Sequence, residues 1–163
     1  MDPVVDIVIE DDRWVAFGLE PLAEHVLAAA LANLGLLGVS CVLMACDDAR
    51  IAALNADFRG KPQPTNVLSW PSQDRAAAAE GALPAAPDPE DGELGDIAIA
   101  YDTCATEAKT AGKPMADHVS HLLVHGLLHL LGYDHIRDGD AALMEAVEVR
   151  ILAQLGLDDP YSD

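Results

Sequence analysis

Apolar and polar positions alternate at the start of the chain. Val4 to Ile9 is rich in Val and Ile at period two, the mark of a half-buried strand. The period then lengthens. Trp14 to Leu34 carries apolar residues at helical spacing and stops at Gly35. Val39 to Ala45 predicts a second strand. Asp47 can cap a helix that runs to about Phe58 and closes at Gly60. Asn66 to Trp70 is a short strand-like segment between Pro64 and Pro71, and Asp96 to Ala100 is a further apolar strand. Asp102 can cap a helix reaching about Ala111. Pro114 suits the first turn of a long helix ending near Leu131, before Gly132. A last helix spans roughly Asp140 to Leu155.

One stretch breaks the pattern. From Ser72 to Gly92 the composition shifts to Ala, Pro, Gly and acids, with few large apolar residues to pack. It reads as a flexible insertion, with at most a turn of helix in its Ala-rich piece. There are no internal repeats. The pattern predicts a single α+β domain over residues 1–163.

Composition narrows the setting. The chain is 51% hydrophobic, enough for a real core, but no run of 18 uncharged apolar residues could span a membrane. The acidic start, MDPVVDIVIEDDRW, lacks the features of a signal peptide, so the expected location is the cytoplasm. Cys41, Cys46 and Cys104 are odd in number and irregular in spacing, which fits small core residues rather than a disulfide framework.

The net charge of −19 argues against a broad nucleic-acid-binding face, because phosphate contacts need Lys and Arg. The acids concentrate in residues 1–13, 74–93 and 158–163. Phe58 to Gln73 instead holds Arg59 and Lys61 and no acid, which leaves room for a local cationic site.

The chemistry lies in His125-Gly-Leu-Leu-His129-Leu-Leu-Gly132-Tyr-Asp-His135. His125 and His129 are four apart, which puts both rings on one helix face. Gly132 lets the backbone leave the helix at positive φ and bring His135 back to the same point. Three imidazoles would leave a fourth tetrahedral position open, the arrangement of a catalytic zinc. His118 and His121 share that face; either could support the ligating histidines or contact substrate, but both read first as exposed polar residues, and His121 is also a candidate base. Asp134 is a candidate base, or a group that orients a ligating imidazole. The spacing matches the metzincin peptidase signature except that Gly126 stands where those enzymes carry a glutamate base, which argues against peptide hydrolysis.

HGLLHLLGYDH resembles the signature of the YbeY endoribonucleases, bacterial rRNA-maturation metalloproteins. The segment from Asn55 through Arg59, Lys61, Thr65 and Ser69 to Pro71 resembles the family's second motif. Gly95-Asp-Ile-Ala-Ile resembles its third, and Met144-Glu-Ala before Ile151-Leu152 its closing helix. The likeness runs from about Val39 to Leu155. Asn66 and Trp70 depart from residues common in the family, and neither departure removes a metal ligand.

The resemblance implies a small central mixed sheet flanked by helices, with the metal site on a long helix and the turn after it. It implies a single-strand-specific, zinc-dependent endoribonuclease with one Zn(2+) per chain on His125, His129 and His135. Arg59 would be the catalytic arginine, with Lys61, Ser69 and His121 as candidate substrate contacts and Asp134 beside the metal ligands. The implied partners are single-stranded RNA, rRNA above all, and the small ribosomal subunit with its assembly proteins. The implied roles are 16S rRNA 3′-end maturation and 70S ribosome quality control.

The chemistry of phosphodiester cleavage fits these residue types. Negative charge builds on non-bridging oxygens, where a guanidinium fork and a metal can both stabilise it. Attack by water and attack by the ribose 2′-OH both remain open. Two rival readings are a non-enzymatic ribosome-assembly factor with structural zinc, for which Asp134 could be a fourth ligand, and a metzincin-like peptidase.

Overall fold

The apolar runs become the strands of one four-stranded sheet. A computed structural model describes residues 4–87, 90 and 92–161. Strands β1 (Val5–Ile9), β2 (Ser40–Cys46) and β4 (Glu93–Ala100) are parallel, and the edge strand β3 (Val67–Pro71) runs antiparallel to β4, giving the order β1-β2-β4-β3. The helices are α1 (Arg13–Phe17), α2 (Leu19–Asn33), α3 (Asp48–Arg59), α4 (Tyr101–Ala111), α5 (Met115–Leu130) and α6 (Asp138–Gln154). The architecture is α+β, a mixed sheet flanked by helices.

Strand alternation divides the interior into two parts. Cys41, Leu43 and Ala45 of β2 and Ile97 and Ile99 of β4 face the larger core with residues of α2, α5 and α6. The alternate residues Cys46, Ala98 and Ala100 form a smaller cluster with Ile51 of α3 and Leu68 of β3. Alanines on this side of β4 bring α3 close to the sheet. The three cysteines are buried and unpaired, and burial raises each thiol to about 12, so they are inert core residues.

Two details differ from the sequence expectation. The helix expected over Trp14–Leu34 is broken at Gly18, whose φ of 88° lets its N–H close α1 on Trp14 and Val15 before α2 begins. Apolar periodicity continues across that glycine and hides the break. Asp102 does not cap α4. Ala100 occupies the cap position, and Asp102 lies in the first turn, paired to Arg13 at 2.7 Å. Asp48 of α3 serves the α4 N-terminus instead, accepting from the Thr103 N–H at 3.0 Å and the Thr103 hydroxyl at 2.8 Å.

The Ser72–Gly92 segment forms no helix among its described residues; 88, 89 and 91 lie outside them. It is held by polar rather than apolar groups. Arg75 is only 6% exposed and donates to the Leu130 carbonyl, in the last turn of α5, at 2.8 Å. Arg137 donates to the carbonyls of Ala77 and Ala78, both at 2.9 Å. The Gly81 N–H donates to Asp140, and the Gly139 N–H to Glu80. The expectation that little here can pack holds for apolar side chains only. Among the described residues, no helix is long and apolar enough to cross a membrane.

Candidate functional site

Helix α5 positions the site because its two faces differ. Val119, Leu123, Val124, Leu127 and Leu128 are fully buried, while His118, His121, His125 and His129 form a half-buried stripe. Gly126 lies against the sheet. A Cβ there would come within 3.2 Å of the Ile97 Cγ2 and 3.3 Å of the Ser69 Oγ. The Ser69 hydroxyl also donates to the Gly126 carbonyl at 3.3 Å, tying β3 to α5. A side chain at 126 would crowd Ile97 and Ser69, so the glycine suits the close packing of α5 on the sheet.

The turn after α5 depends on Gly132. Its φ is 102°, and a Cβ would lie 2.6 Å from the Arg75 carbonyl carbon. Only glycine permits both the left-handed backbone and the contact with the 72–92 segment. The chain then returns and delivers His135 opposite the two helical histidines. The Nε2 atoms of His125 and His129 face each other at 3.1 Å, and the His135 ring centre lies 5.5 Å and 5.1 Å from theirs.

One ligand atom from each of the three rings falls within 4.8 Å of the other two, so the trio could hold a metal ion. Nitrogens bound at about 2.0–2.1 Å to one tetrahedral ion stand roughly 3.4 Å apart, close to the separation of the two helical nitrogens. Burial, with the neighbouring His125 and His135, lowers the His129 pKa to about 4. Its ring is therefore neutral near pH 7, the form a metal requires.

Behind the rings lies Glu148 of α6, wholly buried. It accepts from His125 Nδ1 at 2.6 Å and from His121 Nε2 at 3.1 Å, and the Tyr161 hydroxyl donates to it as well. Burial pushes the carboxyl up, but these three hydrogen bonds outweigh it and hold the pKa at about 2. Burial and the bond to Glu148 raise the Tyr161 phenol, which stays a donor. With Nδ1 of His125 turned to Glu148, Nε2 is left for the metal side. His121, His125 and Glu148 form a second group of converging ligand atoms.

Sequence reasoning missed Glu148 and Tyr161. A signal for Glu148 was present: it sits on the apolar face of α6 with Met144, Val147, Ile151 and Leu152, where a carboxylate needs a partner. Tyr161 follows the last helix and carries no such pattern. The expectation that His118 and His121 are exposed is corrected. His118 is bonded to Glu107 at 2.9 Å, and His121 to Glu148. Both are half-buried because α4 and α6 pack on that stripe.

The three histidines open into a cleft of about 830 Å³. Arg59, Ser69, His121 and Asp134 line the same cleft, and Lys61 is not among its lining residues. Lys61 lies in a loop held by Asn55, whose Nδ2 donates to the Gln63 carbonyl. Asp134 accepts the His135 N–H at 2.7 Å and stands 3.9 Å from the His135 ring nitrogen, outside the converging trio. Five of the six arginines donate to acids, to Asn33 or to backbone carbonyls. Arg59, in the last turn of α3, is the sixth, and among the described residues its side chain has no partner.

The sequence profile described as Endoribonuclease YbeY matches residues 7–156. The chain is 60% identical to the Endoribonuclease YbeY of Ruegeria pomeroyi over 163 residues, covering 97% of this chain and 98% of that one. It is 59% identical to that of Paracoccus denitrificans, with 96% and 89% covered, and 46% identical to that of Methylocella silvestris, with 100% and 88% covered. Among solved structures, TM1509 from Thermotoga maritima aligns with a TM-score of 0.56 over 98% of this chain and 99% of that one. At 19% identity, that likeness concerns the fold.

Proposed function

The chain belongs to the Endoribonuclease YbeY family, and we propose that it is a zinc-dependent endoribonuclease that cuts single-stranded RNA. We assign it to 16S rRNA 3′-end maturation and 70S ribosome quality control in the cytoplasm, working with the small ribosomal subunit and its assembly proteins. The observation that carries the reading is the convergence of His125, His129 and His135 in one cleft with an arginine that has no partner among the described residues.

His125, His129 and His135 would hold one zinc. When bound, zinc supplies a Lewis acid for a phosphoryl oxygen and acidifies water. The chain's own residues do the rest. Glu148 fixes the His125 ring and its tautomer from behind. The Arg59 guanidinium is free to take two non-bridging oxygens of the scissile phosphate and to stabilise the charge that develops there. Ser69 ties β3 to α5 and so fixes the wall of the cleft. Asp134 holds the turn that carries His135.

Two observations weigh against the rivals. Position 126 carries a glycine, packed close to Ile97 and Ser69, and so supplies no peptidase-type base, and Asp134 does not converge as a fourth ligand with the trio. The test is cleavage of an end-labelled single-stranded RNA by zinc-loaded protein, beside a duplex of the same sequence and a His129→Ala variant. We expect cuts in the single strand only, lost together with zinc in the variant. Fully zinc-loaded protein that leaves every single strand intact would refute the enzymatic reading.

A further inference from the structure

We propose that Phe58 and Trp70 form a stacking platform for an unpaired nucleobase next to the phosphate held by Arg59. The inference rests on the RNA-cleaving reading above and names a base-binding subsite for it.

The chain has seven aromatic residues besides its histidines. Phe17 and Tyr101 each pack edge to face on Trp14. Tyr133 packs against the main core, and Tyr161 is bonded to Glu148. Phe58 and Trp70 are left, and both line the cleft that holds the histidines. Phe58 is 64% exposed, and its ring contact is Trp70, at 5.2 Å between centroids and 62° between planes. Trp70 packs partly on the small cluster under α3. A single exposed aromatic is ordinary. Here two touch each other, share one cleft, and include the residue just before Arg59, whose side chain has no partner among the described residues.

Charge makes such a platform necessary. Single-strand binding usually combines a cationic groove with stacked bases. The net charge is −19, and among the described residues that line the cleft Arg59 and Arg75 are the only lysines or arginines. Arg75 and Arg137, the other arginines near the cleft, donate to backbone carbonyls and to Asp140. Phosphate contacts therefore come from Arg59, with Lys61 the nearest further cation in sequence, and the remaining affinity must come from faces rather than charges. Stacking would also favour single strands, because a base inside a duplex is already stacked on both neighbours and has no free face to offer.

The edge strand sets the geometry. Trp70 is on β3, which pairs only with β4, and Ser69 beside it points to α5. Trp70 thus points to the α3 side, where the last turn of α3 presents Phe58 and then Arg59. A nucleotide whose phosphate meets Arg59 has its base within reach of the aromatic pair.

The test uses an eight-residue 2′-O-methyl oligoadenylate, the same oligomer with abasic sugars, and fluorescence of the full-length zinc-loaded protein. Trp14 is fully buried, so a base-dependent quench reports Trp70. We expect the quench with the oligoadenylate, its absence in Trp70→Phe, and binding roughly 5- to 150-fold weaker for Phe58→Ala and for the abasic oligomer, the range for one stacked base. Phe58→Tyr should restore binding, which a merely structural role for Phe58 would not predict. Affinity should fall with salt at a slope near −0.7 to −1.4, as expected for one or two phosphates. Equal binding of the adenylate and abasic oligomers, or an unchanged Phe58→Ala, overturns the platform while cleavage of labelled RNA keeps the enzymatic reading. Absence of both binding and cleavage overturns the two together.

Discussion

Glu148 Oε1 lies 2.6 Å from His125 Nδ1 and has no exposed surface. The carboxylate therefore decides which nitrogen of His125 is left to face the cleft. Partners of this kind, placed behind a ligating histidine, typically change metal affinity by 10- to 100-fold. We expect Glu148→Gln to weaken zinc binding by about that factor, with Glu148→Ala weaker still because three donors then lose their acceptor. Competition against a chelator of known affinity measures it. Unchanged zinc affinity in both variants would remove Glu148 from the site.

Much of this arrangement was legible in the sequence because it is local. The His125–His129 spacing, the Gly132 break and the return to His135 lie within eleven residues, where helix geometry does the placing. The Asp47 cap and Gly60 stop of α3 were legible for the same reason. What escaped lies far apart in sequence. Glu148 meets His125 across 23 residues, and Asp48 meets Thr103 across 55. Neither pairing leaves a spacing rule. Arg75 escaped because a guanidinium in an Ala- and Pro-rich stretch reads as solvated until its backbone partners are visible.

That arginine supports a second prediction. The Leu130 carbonyl belongs to the last turn of α5, where carbonyls lack intrahelical partners, and Arg75 donates to it at 2.8 Å. Arg75→Ala should leave this acceptor unpaired and cost about 1–3 kcal/mol. For a domain of this size, thermal unfolding should fall by roughly 2–4 °C per kcal/mol. A melt identical to wild type would mean that the tie from Arg75 to the end of α5 contributes nothing to stability.

The same segment should respond to acid. The Gly81 N–H lowers the Asp140 pKa most, burial opposes it, and Arg137 lowers it further. A carboxyl depressed by folding contributes stability above its unfolded pKa of about 3.9. That contribution disappears as pH falls through the lower, folded value. We expect the Gly81 amide, corrected for its intrinsic rate, to lose hydrogen-exchange protection below about pH 4. Asp140→Asn should show the loss already at pH 7. Equal protection at pH 3 and pH 7 would show that the tie does not depend on the charge.

Arg59→Ala should abolish most RNA cleavage while leaving zinc content and melting temperature near wild type. Stability is spared because the Arg59 side chain has no partner among the described residues, so its removal leaves no buried group unpaired. Zinc is spared because Arg59 belongs to α3, whereas the three histidines belong to α5 and the turn after it. The rate suffers because a preorganised donor aimed at developing charge is lost, typically about 10²–10³-fold, or roughly 3–4 kcal/mol. Arg59→Lys should recover only part, since an ammonium keeps the charge without the planar fork. Cleavage of a labelled single-stranded RNA, with zinc quantified in the same samples, separates the outcomes. A wild-type rate in Arg59→Ala would leave the arginine without a role in the reaction. Loss of zinc or of folding would instead make it a structural residue and break the division of labour between α3 and α5.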